Sequence, residues 1–484
     1  MAGILNYGAY VPRMRLQRSA IYGANQWFAP GLKGLAKGQR AIANWDEDSI
    51  TMAVEAARDC LGGTERGVIG TVMLASTTLP YVDRQNAGIV KEALNLPDAI
   101  AALDVGGSQR AGTSMLAQAL KAATADGAPV LALAADQRRA RPASEEELVN
   151  GDAAAAFLVG PEDGIARLIG AYSVTADFVD HFRAAGERYD YGWETRWVRE
   201  EGHAKLGGAA IAGALKTYAL APSDIAHFIV GIPARGAGAL LAKKAGIAAE
   251  AVREDLSAEL GNAGTAHPLV MLASALETAK PGENILVLGF GQGADVLLFQ
   301  ATEAIAEAKP TFGVSGWLAR SVREENYLKY LAFIGELKLE LGKRAEFSQR
   351  PVLTALYRNR KTVLGLVGGR CSRTGTVQYP RSEISVNQNE PAVGTQEDYP
   401  LADRPARIMT YTADSLTYTP DPPNYYGMVE FEGGGRMFTE FTDADTTSIK
   451  VGAPMRMMFR IKAEDHQTGF TKYFWKAVPT AGSN

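Results

Sequence analysis

The strongest constraint on how this chain folds is a disguised internal repeat. Residues 103–136 read LDVGGSQRAGTSMLAQALKAATADGAPVLALAAD, and residues 258–290 read AELGNAGTAHPLVMLASALETAKPGENILVLGF. Each copy is a loop of small residues, an Ala/Leu-rich helix, a turn containing glycine (Gly127, Gly282) and a short apolar strand. A second strand led by glycine follows in each case, GDAAAAFLVG from Gly151 and GQGADVLLFQ from Gly291. Short unbroken apolar runs predict strands covered on both faces. Two facing α/β halves follow, residues 1–165 and 166–305, with a site expected between them.

The remaining chain changes character. From Ala306 to about Gln349 charge and aromatics predominate (Trp317, Arg320, Arg323, Tyr327, Tyr330), which predicts a helical linker over 306–350. From about Val352 the composition turns to Thr, Tyr, Val and Pro with period-2 stretches, as in RIMTYTADSLTYTP, which is β-protein composition. A net charge of −4 supplies no global basic field for nucleic acid. Two cysteines, Cys60 and Cys371, exclude a disulfide scaffold and any four-cysteine zinc site. The opening residues lack a basic stretch leading into a long apolar core, and no apolar run approaches the ~20 residues of a membrane span. A cytoplasmic protein without membrane segments is expected.

Chemistry points first to the loop Asp104–Ser114. It leads into a helix whose first-turn N–H groups can stabilise an oxyanion or activate a nucleophile. The alternative is that Gly106 and Gly107 serve only tight strand–helix packing.

Several stretches together resemble the thiolase superfamily, in its 3-hydroxy-3-methylglutaryl-CoA synthase and ketoacyl synthase III branch. They are ASTTLPYVDRQNAG (75–88), LDVGGSQRAGTSML (103–116), NGDAAAAFLVG (150–160), DIAHFIVGIP (224–233) and 260–295. The resemblance covers residues 1–300 and implies duplicated αβαβα layers. It also implies a homodimer, coenzyme A thioesters as substrates, and four catalytic side chains. Three of these are missing. The cysteine nucleophile falls at Gln109, five residues after Asp104; the histidine falls at Gly231; the glutamate falls best at Leu79. The asparagine remains, as Asn262.

An amide cannot form an acyl-enzyme. Cys60 lies in a helical pattern and reads as core. Ser108 is a substitute nucleophile without a visible base. Gln109 and Asn262 are placed to hold a thioester carbonyl or a water. His267 is the candidate base, or else a helix-start histidine bonded to backbone; His227 reads as structural. His181 and His203 fall in an excursion dense in aromatics and charge, where Tyr189, Tyr191 and Trp193 either line a substrate tunnel or form an amphipathic surface. Arg138, Arg139, Arg235, Lys243 and Lys244 are candidates for the phosphates of coenzyme A, or solvated surface charge.

The C-terminal part resembles the acyl-CoA-associated OB-fold family, implying a ribbon over 351–395 and a barrel over 396–484. The ribbon normally carries two Cys-x-x-Cys knuckles. Here Cys371 survives, Thr374 replaces its partner, and Ile384 and Asn387 stand at the second pair. No zinc is expected, and the ribbon is expected to rest on packing alone. The barrel reads as a docking and substrate-channel module rather than a nucleic-acid binder. Two functions remain in view. One is carbon–carbon bond formation or cleavage on a coenzyme A thioester without a cysteine acyl-enzyme, as acyl transfer or retro-aldol cleavage. The other is a non-catalytic subunit that channels intermediates for a thiolase partner.

Overall fold

The computed structural model describes residues 2–308, 310–340 and 352–480. The chain forms two compact units, one of Met1–Asn44, Asp48–Gly88 and Pro97–Ile334, the other of Trp45–Glu47, Ile89–Leu96 and Gly335–Asn484. Part of the expected linker, residues 309 and 341–350, lies outside the described residues, as does the end of the barrel segment, 481–484.

In the first unit the repeat becomes symmetry. One half runs Gly3–Tyr10, Asp152–Gly160, Val130–Gln137, Thr71–Ala75, Ala101–Val105 across the sheet; the other runs Ala166–Thr175, Gly293–Ala301, Asn284–Phe290, Ile225–Val230. The directions match as well. Thr71–Ala75 is parallel to both Ala101–Val105 and Val130–Gln137, and Val130–Gln137 is antiparallel to Asp152–Gly160. In the second half Ile225–Val230 is parallel to Asn284–Phe290, which is antiparallel to Gly293–Ala301. A parallel bridge from Phe228 to Val252 stands where the fifth strand would be. Within the sheet the two halves pair at Gly3 with Arg167 and Ile4 with Ala166.

The two repeat helices, Ala111–Asp126 and His267–Leu276, pack on each other and touch strands of both halves. They form the middle layer of an αβαβα stack, which explains why both are rich in Ala and Leu rather than amphipathic. Both following glycine turns adopt positive φ. A side chain at Gly112 would collide with the Thr265 carbonyl oxygen, so this glycine sets how closely the first helix approaches the second loop. On the outside, the helix Ser49–Leu61 covers Gly3–Tyr10 and Asp152–Gly160. Asp48 caps it, accepting from Thr51 N at 2.8 Å while Thr51 Oγ1 accepts from Asp48 N at 2.8 Å. After the duplicated part come the helices Gly313–Ala319 and Tyr327–Phe333. Between them Val322–Glu324 pairs in parallel with Met14–Gln17, an element that its charged sequence did not announce. Tyr327 and Tyr330 join a core with Leu16, Ile21, Ile42 and Leu148.

The second unit carries a closed five-stranded barrel, in the order Ala406–Asp414, Asn424–Phe431, Arg436–Phe441, Phe470–Pro479, Pro454–Asp465. That 1-2-3-5-4 order is the OB-fold order. Alternation in Asn424–Phe431 buries every second residue, and the interior holds Val429, Phe431, Met457, Phe459 and Trp475. Beside the barrel lies a buried ionic cluster. Arg460 donates to Glu47 and, at 2.8 Å, to Asp443, and Lys476 lies 3.0 Å from Asp46 and 3.3 Å from Glu440. The Lys476 ammonium also stands 4.0 Å from the centre of the Trp45 ring. A three-stranded sheet precedes the barrel, formed by Val367–Cys371, Val377–Gln378 and Gln396–Pro400.

Candidate active site

The first loop ends one strand and starts the middle helix. Asp104 is consumed by structure: it accepts from Asn86 N, Asn86 Nδ2 and Ala87 N at 2.8–3.0 Å, fixing the start of Asn86–Ala93. Ser108 Oγ donates to the Gly291 carbonyl at 2.8 Å and accepts from Arg110 N at 3.3 Å. Its hydroxyl closes a turn and faces no base. Arg110 is pinned by Asp295 at 3.1 Å, a buried carboxylate that also accepts from Thr113 and Ser173.

Gln109 points elsewhere. Its Nε2 lies 2.9 Å from His181 Nε2, and His181 Nδ1 lies 3.1 Å from Asp180 Oδ1. With the ring neutral and its proton on Nδ1, Nε2 accepts from the Gln109 amide, while Asp180 Oδ1 lies beside Nδ1 as a charge contact without hydrogen-bond geometry. Among the described residues the main-chain N–H of Gln109 has no partner.

The aromatic excursion is therefore divided. Its hairpin, His181–Phe182 paired with Tyr191–Gly192, turns His181 toward the first loop while Tyr191 and Trp193 stand 58% and 57% exposed. Asp190 joins the hairpin to the site wall. It accepts from Arg138 at 2.8 Å and Arg183 at 2.9 Å, and Arg183 also donates to the Thr77 carbonyl. Burial alone would raise the Asp190 carboxyl, but Arg138, Arg183 and His181 hold it below the usual range. Farther along, Val198–Gly207 winds as a π-helix, a form common at functional sites. It carries His203, buried edge-on against Phe290 at 4.8 Å. Burial holds that imidazole down at about 4, against a smaller opposing pull from Asp180.

Arg138 links this wall to the second loop, lying 3.2 Å from Asn150 Oδ1 and 3.4 Å from Asn262 Oδ1. At 7% exposed and bound to three side chains, it is a wall residue and not the open phosphate contact expected from sequence. Asn262 Oδ1 also accepts from Gly264 N at 2.9 Å. Its amide nitrogen has no partner among the described residues.

His267 does not join this group. Its Nδ1 accepts from Ala263 N at 3.3 Å, it is 2% exposed, and it is hydrogen-bonded to the Asp255 backbone. Burial holds it at about 4, so the ring is neutral and tied to main chain. This is the backbone-bonded helix-start histidine, and its geometry gives it no open nitrogen with which to act as a base. His227 bonds Glu283 at 2.8 Å. At Gly231, an ideal Cβ would lie 2.6 Å from Pro268 Cβ. A side chain at Gly231, where the resemblance places the family's histidine, would therefore meet Pro268. Arg235, Lys243 and Lys244 are exposed on or just before the helix Ala237–Ala245, and Lys244 donates to the Ala204 carbonyl at 2.7 Å.

Sequence reasoning missed Asp136 altogether. This fully buried carboxylate accepts from Ser76 Oγ, Thr77 N, Thr77 Oγ1, Thr78 Oγ1 and Thr265 N at 2.8–3.0 Å. It ties the Ser-Thr-Thr turn to the second loop, while Leu79 stands half-buried beside them. The only signal was an acidic residue closing an apolar strand.

Cys60 is fully buried, and burial pushes its thiol well above the ordinary range. Cys371 sits in the second unit, its Sγ 3.2 Å from Thr395 Oγ1. Nearby, Thr374 Oγ1 donates to Thr376 Oγ1 at 2.8 Å and Asn387 Nδ2 donates to Thr376 Oγ1 at 3.0 Å, while Ile384 is 62% exposed. One thiol, hydroxyls and an amide do not fit a tetrahedral thiolate zinc centre. Hydrogen bonds, not packing alone, close this turn. Among the described residues no three His, Cys, Asp or Glu side chains converge to hold a metal ion, and no helix is long and apolar enough to cross a membrane.

This architecture is that of the thiolase-like condensing enzymes, joined here to an OB-fold barrel. Residues 215–297 match the model of the C-terminal part of 3-oxoacyl-[acyl-carrier-protein] synthase III. Residues 399–460 match that of the ChsH2 C-terminal OB-fold domain. Hydroxymethylglutaryl-CoA synthase of Aeropyrum pernix is 31% identical over 343 residues, covering 69% of this chain and 95% of the relative. The enzyme of the same name from Archaeoglobus fulgidus is 31% identical over 315 residues, 63% of this chain and 90% of the relative. Among solved structures, an HMG-CoA synthase complexed with CoA aligns with a TM-score of 0.61 at 20% identity, over 72% of this chain and 95% of that one. The 3-oxoacyl-(acyl carrier protein) synthase III from Pseudomonas aeruginosa gives 0.56 at 20% identity, over 62% and 98%. The chain belongs to the hydroxymethylglutaryl-CoA synthase family.

Proposed function

We propose that the first unit binds an acyl-CoA and makes or breaks a carbon–carbon bond beside its thioester carbonyl, without an acyl-enzyme on cysteine. The observation that carries this reading is Gln109, an amide at the head of the middle helix whose main-chain N–H has no partner among the described residues. That N–H and the free Asn262 amide are donors of the kind that hold a thioester oxygen as charge develops on it. The alternative catalytic serine, Ser108, has its hydroxyl committed to Gly291. Exposed Arg235, Lys243 and Lys244 are suited to phosphates of coenzyme A. Retro-aldol cleavage is the favoured direction, because it needs a polarised carbonyl and a base but no nucleophile.

The remaining assignments go with this reading. The protein acts in the cytoplasm as a homodimer, and the edge strand Ala101–Val105, with Leu103 45% exposed, is free to pair with a second copy. The domains divide at 165, 305, 350 and 395. The barrel docks a partner such as a thiolase, and its groove of about 460 Å³, lined by Tyr426, Phe438, Phe474 and Lys462 among others, suits an amphipathic guest.

The test is incubation of the full-length protein with a series of 3-hydroxyacyl-CoA esters, alone and with a thiolase, followed by mass spectrometry. A shortened acyl-CoA with an equivalent of free aldehyde or ketone is expected. The filled space at Gly231 favours the second reading, a non-catalytic channelling subunit. Tight acyl-CoA or thiolase binding with no turnover in any combination would establish that one instead.

A further inference from the structure

We propose that His181, beside Asp180, is the general base and proton carrier of this site, in place of the family histidine whose position is Gly231. The proposal rests on the thioester reading above. Its geometry is an accessible imidazole whose Nε2 is hydrogen-bonded to the Gln109 amide, with the Asp180 carboxylate as a charge neighbour of Nδ1. His181 Nδ1 is 3.1 Å from Asp180 Oδ1, with the two side chains 23% and 14% exposed. Nε2 faces the Gln109 amide at 2.9 Å. The unprotonated nitrogen is thus aimed at the residue that replaced the nucleophile, and a substrate hydroxyl entering there displaces the amide. The charged groups around the ring are Asp180, Asp190 and the two arginines on Asp190, Arg138 and Arg183. The other histidines of the first unit are committed elsewhere: His267 to main chain, His227 to Glu283, His203 to a buried position against Phe290.

The substrate class is a 3-hydroxyacyl thioester. His181 Nε2 takes the proton of the 3-hydroxyl, the C2–C3 bond breaks, and C3 becomes the carbonyl carbon of the leaving aldehyde or ketone. The bonding pair passes to C2 and the thioester oxygen as an enolate, facing the Gln109 N–H. The proton on Nε2 then returns to C2, giving the shortened acyl-CoA. Atoms and charge balance without a cofactor or co-reactant, and the same steps reversed give condensation. Asp180 is a positioning residue that acts by its charge, supporting the imidazolium.

Two measurements on the full-length protein separate this proposal from the reading beneath it. The first is turnover of 3-hydroxyacyl-CoA esters. His181→Gln is expected to lower kcat by about 10²–10⁴-fold, while His466→Gln, exposed in the second unit, leaves it unchanged. Asp180→Asn lowers kcat with KM unchanged, a split that a merely structural role would not give. Full activity in His181→Gln overturns the proposal while leaving thioester chemistry intact. The second is nitrogen NMR of the five histidines, assigned by single substitutions, with 3-hydroxybutyryl-CoA as probe. A ring protonated on Nδ1, whose Nε2 resonance moves on adding the ester while His267 stays still, is expected. Ester binding that leaves His181 unmoved overturns the proposal even if no turnover is found. Absence of both turnover and ester binding overturns it together with the thioester reading.

Discussion

The two loops that head the middle helices began as one sequence pattern and now do different work. In the first, Ser108 and Arg110 lock the backbone, so Gln109 is presented outward to an accessible histidine. In the second, the polar residues turn inward. His267 binds main chain and Thr265 N donates to buried Asp136. The lesson is that a duplicated fold keeps one copy as the support of the other. The second loop is held from inside by Asp136 and by main chain while the Asn262 amide nitrogen stays open, and the first loop presents the Gln109 amide outward.

The sharpest way to break this contrast is to cut the support. Asp136→Ala leaves five donors unpaired in a dry interior and is expected to cost about 3 kcal/mol or more; denaturant unfolding measures it. A pH series sharpens the contrast next. The native His267 ring stays neutral down to about 4, whereas in the unfolded chain it takes a proton near pH 6.5. The unfolded state therefore binds the extra proton between those values, and stability is lost as pH falls from about 6.5 to 4, by roughly 3 kcal/mol for a fully neutral native ring. His267→Gln removes its share of that slope, and His203, also held at about 4, supplies a second. Gly231→Ala presses a methyl against Pro268 and is expected to destabilise by about 1–3 kcal/mol, read as a fall in Tm. Gln109→Ala has the smallest expected effect on stability, within about 0.5 kcal/mol, and keeps the main-chain N–H. A large stability loss there, or none at Asp136, would reverse the roles assigned to the two loops.

Much of the fold was legible because burial writes itself into periodicity. The Ala/Leu helices and unbroken apolar strands read correctly as sandwiched layers, and the alternating C-terminal stretches as a barrel. The site was legible only in part. Gln109 and Asn262 stood out because each lies in a loop with a family pattern. Asp136 was not, because an acidic residue at a strand end looks the same whether it faces water or five donors. His181 was noticed only as one member of an aromatic excursion, since its partner lies 72 positions away in sequence.

The sequence alone determined the duplication, the layer order and the joined barrel. Those are local properties, carried by residue type and spacing. Only the tertiary structure decided which histidine is open and which is shut, that Arg138 is a wall residue rather than an open phosphate contact, and that Pro268 occupies the room at Gly231. An imidazole becomes a base or a strut according to what meets its two nitrogens and how much water reaches them. Both are set by chain segments remote in sequence, so no local pattern records them.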